Sequence, residues 1–273
     1  MSAGALSLAL GAAGLHAAWN LALARRPDVP AATALAFCFA VLAFAPLAAV
    51  RWEVGAEAIP YIVVSSAFEL AYLALLAAAY GGAELSVVYP VARGLAPVLV
   101  LAIGVAALGV GSSATETAGV LLVGAGVLLV RGLGGASSTG VAFGLAIAGC
   151  IAGYTLADAR GVDHADPIAY LVVVMAPASA AYLLAVLRRG GPPRLRAELG
   201  WTPLFVGLAS FGAFGLVLFA LQLASAASVA AVRETSVVIA VALAAPILGE
   251  PVGPRRLAGA ALVVAGIAVL GVT

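Results

Sequence analysis

The stretch SVVYPVARGLAPVLV, residues 86–100, places one arginine, Arg93, between two prolines in an otherwise apolar segment. At 1.5 Å per residue, a position about ten residues into a membrane-spanning helix lies about 15 Å deep, near the midplane. A basic side chain at that depth costs on the order of 2.5–3.5 kcal/mol on insertion scales. Arg93 therefore needs an acidic partner or a ligand, and both explanations are open from the sequence.

The composition indicates that the whole chain is a membrane protein. Of its 273 residues, 64% are hydrophobic and only 9% are charged, and the mean hydropathy is +1.19, whereas soluble domains carry about a quarter charged residues. Apolar runs of about 20 residues, each long enough to cross a hydrocarbon core of about 30 Å as a helix, follow one another with short connections. We predict an all-α polytopic fold with ten spans, at residues 2–24, 30–50, 58–80, 83–109, 115–131, 138–158, 166–187, 201–222, 226–248 and 253–271.

The two halves of the chain match one another weakly. A shift of 140 residues superposes Arg93 on Arg233, and a shift of 135 near the start superposes Trp19 on Tyr154. The larger shift also superposes Ala118-Gly119 on Ala258-Gly259 and Gly126 on Gly266. We predict two five-helix repeats, residues 1–133 and 138–273, with inverted topology because each contains an odd number of spans. This organisation is typical of secondary transporters that bind substrate near the midplane.

The arginines are distributed unevenly between the two sides of the predicted bundle. All 13 basic residues are arginine, and only Arg51 and Arg160 fall on one side. By the positive-inside rule the opposite side is cytoplasmic, so both termini are predicted to lie outside a multi-pass protein of the cell inner membrane. The arginines of the cytoplasmic side are Arg25, Arg26, Arg131, Arg188, Arg189, Arg194, Arg196, Arg255 and Arg256.

Four segments resemble one known family. HAAWNLALAR, LSVVYPVARGLAPVLV, GYTLADARGV and AAVRETSVVIAVALAAPILGEPVGPRRLAGAALVVAGIAVL are similar, in this order and spacing, to the EamA-type branch of the drug/metabolite transporter superfamily. The resemblance implies ten helices in two inverted repeats around a central cavity, and export of amino acids or related metabolites. One departure is visible: Leu248-Gly249-Glu250 in the second half corresponds to Leu108-Gly109-Val110 in the first, which lacks a polar helix cap.

Polar residues within the spans are the candidates for substrate binding. Tyr89 and Arg93 share one helical face with Pro97, and Tyr154 shares a face with Asp158. The alternatives are that the arginines form structural ion pairs, that the aromatic residues pack, and that Asp158 marks the end of its span. The predicted substrate-binding residues are Arg93, Arg233, Tyr89, Trp19, Asn20, His16 and Tyr154.

Glu69 and Glu234 are the acidic residues in the middle of predicted spans, and both are candidates for ion coupling. Glu69 and Arg93 lie about equally far from the turn at Gly81-Gly82, about 17–18 Å along antiparallel helices. We predict that Glu69 pairs with Arg93 in the empty cavity. An anionic substrate group then competes for the arginine, and the freed carboxylate takes up a proton. The alternative is a permanent structural ion pair.

Two functions follow from these features. The first is a secondary active transporter that exports small polar metabolites such as amino acids, with an anionic or zwitterionic substrate and possible proton coupling. The second is a membrane-embedded enzyme acting on an amphipathic or lipid-linked substrate through Glu69 and the arginines. Paired arginines at equivalent repeat positions favour the transporter. Phosphate loops and HExxH or CxxC motifs are absent from the sequence, so we expect no cofactor, no metal site and no nucleic-acid partner.

Overall fold

The computed structural model describes residues 1–131, 137–248 and 253–272, which form helices joined by short turns. The predicted all-helical membrane fold is confirmed. A single 3-10 turn, Ala56–Ala58, precedes the third helix. The helices are α1 Ala3–Leu23, α2 Val29–Val50, α3 Ile59–Gly82, α4 Leu85–Leu108, α5 Ala114–Arg131, α6 Ser138–Gly161, α7 Pro167–Glu198, α8 Trp201–Leu221, α9 Ala226–Arg233, α10 Thr235–Leu248 and α11 Pro254–Gly271.

In the described part of the chain, nine helical segments are long and apolar enough to cross a membrane, and a tenth, Ala114–Val130, is apolar but shorter. The count of ten spans stays a prediction. The predicted span 226–248 is not one continuous helix, because α9 ends at Arg233 and α10 begins at Thr235. The Thr235 hydroxyl donates to the Val232 carbonyl oxygen at 2.6 Å, and such a side-chain bond competes with the helical backbone ladder.

Helix α7 is longer than predicted. The connection expected at residues 188–200 is helical as far as Glu198, with a kink at Gly191, whose φ is 69°. Glycine adopts this left-handed conformation without the penalty that a Cβ brings. Pro192 and Pro193 then begin a new helical turn, where a missing backbone N–H leaves no bond unmade.

Helix α4 ends without the polar cap that the second half carries in sequence. Gly109 has a φ of 64°, and the Val110 N–H donates to the Gly104 carbonyl oxygen at 2.9 Å. A left-handed glycine closes a helix through the backbone alone, so α4 needs no acidic residue at position 110. The corresponding Glu250 lies outside the described residues.

Ion pairs hold the chain together at both ends of the bundle. At one end, which we call the arginine-rich end, Arg26 Nε donates to Glu198 at 2.7 Å and Arg194 pairs with Asp28. The hydrogen bonds from Arg194 lower the pKa of Asp28 from its ordinary value. At the opposite, arginine-poor end, Arg51 Nη2 lies 2.8 Å from Asp166 Oδ2.

The first and last helices begin and end close together. The Met1 ammonium donates to the Leu270 carbonyl oxygen at 3.1 Å, so both termini lie at the same end of the bundle.

Helices α5 and α11 pack through glycines at two levels. A Cβ on Gly126 would lie 2.7 Å from the Gly259 carbonyl oxygen, and a Cβ on Gly266 would lie 2.7 Å from that of Gly119. The pairing of 119 with 266 and of 126 with 259 makes the helices antiparallel. These are the glycines that the 140-residue shift superposes, so the contact repeats itself when the two halves are exchanged.

Three further helix pairs also stay the same when the two halves of the chain are exchanged. Helix α1 packs against α8 and α3 against α6, while α2 packs against α7. If α1, α2 and α3 correspond to α6, α7 and α8, exchanging the halves leaves this set of pairs unchanged. This is the packing expected of two inverted repeats. The repeat boundaries themselves stay predictions, and residue 133 lies outside the described residues.

We expect Gly126→Ala to lower the free energy of unfolding by about 1–3 kcal/mol, because the added methyl group meets the backbone of α11 and overpacks the contact. Thermal unfolding in detergent micelles measures the change. Gly149→Ala on α6 is the matched control, since a Cβ there meets no atom within 4 Å. Equal melting temperatures for the two variants would contradict the close α5–α11 contact.

Candidate functional site

A central cavity of about 130 Å³ lies between the two halves of the bundle. Helices α1, α3, α4, α6 and α9 all contribute polar side chains to its wall. Six of the predicted residues lie in this one wall, together with Tyr72 and Ser210, which the candidate set did not include. The six are His16, Trp19, Glu69, Arg93, Tyr154 and Arg233.

Tyr89 and Asn20 do not line the central cavity. They lie in a second cavity of about 490 Å³ at the arginine-rich end, where α1 ends and α4 begins, and His16 lines both cavities. The Asn20 side-chain amide donates to the His16 carbonyl oxygen at 2.8 Å. A third cavity of about 200 Å³ lies at the arginine-poor end, between the last turns of α4 and α6 and the start of α9.

Arg93 is paired with Glu234 across the two halves. Its Nε lies 3.1 Å from Glu234 Oε2, and the two side chains are only 9% and 1% exposed. Arg93 Nη2 also donates to Ser236 Oγ at 3.3 Å. Neither carboxylate oxygen of Glu234 accepts a hydrogen bond from any described residue, so the attraction is mainly Coulombic.

The predicted pairing of Arg93 with Glu69 is wrong in this structure, because Glu234 takes that place. Counting residues from the turn between α3 and α4 predicts that Glu69 and Arg93 lie at the same depth. It does not predict which faces of these two helices meet. Helix α4 packs mainly against α5, α6 and α9, whereas α3 packs against α6 and α7. The break between α9 and α10 falls at Glu234, and its carboxylate meets Arg93.

Arg233, on which the 140-residue shift superposes Arg93, has no such partner among the described residues. Its side chain lines the central cavity and the residue is 8% exposed. Across residues 1–131, 137–248 and 253–272, no carboxylate lies within ion-pair distance of it. Its Nε is buried without a hydrogen-bond partner in the same ranges. The cavity therefore contains one guanidinium that is already neutralised and one that is available to a ligand.

Glu69 is 5% exposed and lines the same cavity. One turn earlier on α3, the Ser65 hydroxyl donates to Asp158 Oδ1 at 2.5 Å. Asp158 is 1% exposed and does not simply mark the end of a span. In the sequence, Asp158 is singled out only because it shares a helical face with Tyr154. Of these two residues, Tyr154 lines the central cavity.

The comparisons with known proteins agree with this architecture. The model of the EamA-like transporter family matches residues 138–272. The second half of the chain belongs to the EamA-like transporter family. The resemblance seen in the sequence is thereby confirmed, and the chain is a membrane transporter of the drug/metabolite transporter superfamily. Its setting is the lipid bilayer and its substrate is a small molecule.

A solved crystal structure shares the fold of this EamA-like transporter. It superposes with a TM-score of 0.79 over 100% of this chain and 98% of that chain, at 18% sequence identity. No curated protein matches the sequence.

Aromatic side chains form the rest of the polar wall in this EamA-like transporter. The rings of His16 and Trp19 meet edge to face at 4.9 Å between centroids, and those of Tyr72 and Tyr154 do so at 6.4 Å. Trp19 Nε1 is buried and has no acceptor among the described residues. Arg233 Nε in the same wall is likewise without a hydrogen-bond partner among the described residues, and a ligand with acceptor oxygens would satisfy both donors.

Glu234→Gln should lower the free energy of unfolding by about 3–5 kcal/mol, because Arg93 is then a buried charge without a counter-charge. The double variant Arg93→Met, Glu234→Met should recover most of that loss. Thermal unfolding in detergent measures the stability of each variant against the wild type. Arg51→Gln is the control, because the Arg51 side chain is half exposed and its pair with Asp166 should contribute about 0–1 kcal/mol. A Glu234→Gln protein as stable as the wild type would contradict the pairing.

Proposed function

We propose that the protein is a secondary active transporter that exports small polar metabolites such as amino acids by alternating access. The observation that carries the proposal is the cavity shared by the two halves, with Arg233 in its wall and in no ion pair with a described residue. An unpaired guanidinium in a membrane interior is costly, and a bound anion offsets that cost. A substrate carboxylate matches the planar fork of arginine with two parallel hydrogen bonds.

The rest of the wall supports a substrate that is anionic or zwitterionic and partly apolar. Phe211, Phe214 and Met175 lie in the same cavity as Arg233. Binding sites for small molecules commonly combine an apolar wall with a few convergent polar groups. We therefore assign Arg233 to the carboxylate and the aromatic wall to the carbon skeleton of the substrate.

Alternating access is supported by the paired architecture. The second and third cavities lie at opposite ends of the bundle, and the one at the arginine-rich end is the larger, at about 490 Å³ against about 200 Å³. In a pair of inverted repeats, exchanging their conformations exchanges the two openings. With the arginine-rich end in the cytoplasm and both termini outside, the larger opening faces the cell interior of an inner-membrane exporter.

Proton coupling is assigned to Glu69. It lies in the same wall as Arg233, is buried, and belongs to no ion pair in the described part of the chain. A carboxyl group in this place binds and releases a proton at the substrate site itself. Glu234, by contrast, is committed to Arg93 and has a structural role.

Counterflow into proteoliposomes, loaded in turn with a panel of amino acids and other carboxylates, tests the function. We expect at least one carboxylate to exchange. Arg233→Lys should raise the apparent KM for it about tenfold or more, since losing a bidentate charged contact costs about 1.5–3 kcal/mol. Arg188→Lys is the matched control, because Arg188 is exposed on α7 just before the kink at Gly191. The carboxylate assignment fails if both variants exchange with the same KM.

Glu69→Gln separates proton coupling from substrate binding. The amide keeps the shape of the side chain but cannot titrate, so uphill transport driven by a pH gradient should be lost. Glu53→Gln, which changes an exposed carboxylate, should leave it unchanged. Radiolabelled substrate in vesicles with and without a pH gradient measures the difference. Wild-type gradient-driven accumulation by Glu69→Gln would rule out Glu69 as the coupling group.

A further inference from the structure

The buried carboxyl group of Asp158 lies outside the proposed substrate cavity. Asp158 Oδ1 accepts hydrogen bonds from Ser65 Oγ at 2.5 Å and from Tyr170 Oη at 3.0 Å. The three residues come from α6, α3 and α7, and none is more than 1% exposed. Three helices therefore converge on one carboxyl oxygen in the interior of a membrane protein.

Asp158 has no cationic partner within ion-pair distance among the described residues. The charged groups that act on it are Glu69 of α3 and Arg233 of α9, and the phenols that face it belong to Tyr154 and Tyr170. Two carboxylates that share one low-dielectric region repel each other when both are ionised. A proton on either of them relieves this repulsion, so the two groups compete for protons.

The packing of α3 on α6 places Asp158 between Glu69 and one end of the bundle. Ser65 bonds to Asp158, and a Cβ on Gly153 would contact the ring of Phe68, so the two helices run antiparallel. Glu69 then lies level with Tyr154, one turn from Asp158, or about 6 Å along the axis. In the other direction α6 ends at Gly161, about 5 Å beyond Asp158.

An unused hydroxyl lies beside Asp158. Thr155 is 2% exposed, and its Oγ1 has no hydrogen-bond partner in the described ranges. It precedes Asp158 by three residues on α6, which places the two side chains on neighbouring positions of one face. A hydroxyl both donates and accepts, so Thr155 can pass a proton along this face.

We propose that Asp158 relays protons between the arginine-poor end of the bundle and Glu69. A proton from water at that end binds Asp158. It then passes to the Glu69 carboxylate, which leaves Asp158 ionised and Glu69 neutral. The hydrogen bonds from Ser65 and Tyr170 stabilise the ionised form that remains. The relay rests on the proposed proton-coupled transport and adds a path by which the coupling proton reaches the cavity from one side.

Asp158→Asn tests the relay in proteoliposomes that contain a pH-sensitive dye. The amide oxygen still accepts from Ser65 and Tyr170, but the group cannot carry a proton. We expect substrate exchange by counterflow to continue, because exchange needs no net proton movement, while substrate-driven proton flux falls at least tenfold. Asp163→Asn is the matched control, because Asp163 is an exposed carboxylate just beyond the end of α6, and it should retain both activities.

Two further variants keep the test decisive if Asp158→Asn does not insert. Tyr170→Phe and Ser65→Ala each remove one donor to Asp158 Oδ1, so each should shift the pH profile of proton flux without changing counterflow. If Asp158→Asn, or both of these variants, keep the wild-type proton flux and pH profile while Glu69→Gln loses the flux, the relay is wrong and the transporter proposal stands.

Infrared difference spectra between acidic and alkaline pH give a readout that does not depend on transport. The wild type should show a carboxyl C=O band that Asp158→Asn lacks and Asp163→Asn retains. If no panel substrate exchanges in the wild type, the proposed function fails, and the spectra alone then decide whether Asp158 takes up a proton. A band unchanged by Asp158→Asn would overturn the relay.

Discussion

The ion pair between Arg93 and Glu234 is the interaction on which the site depends. Both side chains are almost fully buried, and an isolated charge in a bilayer interior is costly. The pair connects α4 of the first half with the junction between α9 and α10 in the second. The helix break falls at Glu234, whose carboxylate pairs with Arg93, and Arg233, one residue earlier, lines the central cavity. One interaction therefore joins the two halves beside the cavity.

The site owes its chemistry to a departure from the symmetry of the bundle. The glycine contacts between α5 and α11, and the reciprocal helix pairs around them, treat the two halves alike. The 140-residue shift superposes the two arginines, yet among the described residues only Arg93 has an acidic partner within ion-pair distance. If both were neutralised, an anionic substrate would gain little from the cavity. If both were unpaired, burying two positive charges would lower the stability of the folded protein.

The tightly packed contact between α5 and α11 and the region around the cavities have different roles. Helices α5 and α11 approach so closely at their glycines that a single Cβ would meet a backbone carbonyl, which suits a rigid seam. The central cavity lies among other helices, including α1, α3, α4, α6, α8 and α9, where longer polar and aromatic side chains line its wall. A transporter needs both properties, because one region must hold the halves together while another changes its exposure.

The sequence alone determined that the protein is helical and membrane-embedded, and which residues lie at similar depth. A bilayer imposes these features directly, because spans must be apolar, helical and about 20 residues long. Six of the candidate residues, among them Arg93, Arg233 and Glu69, lie in the wall of one cavity, and their role in substrate binding or coupling stays a prediction. Only the tertiary structure decided which carboxylate meets Arg93, that Tyr89 and Asn20 line a separate cavity, and that Asp158 bonds to Ser65 and Tyr170. Depth can be counted along a helix, whereas the direction in which a side chain points depends on how the helices rotate and pack against one another.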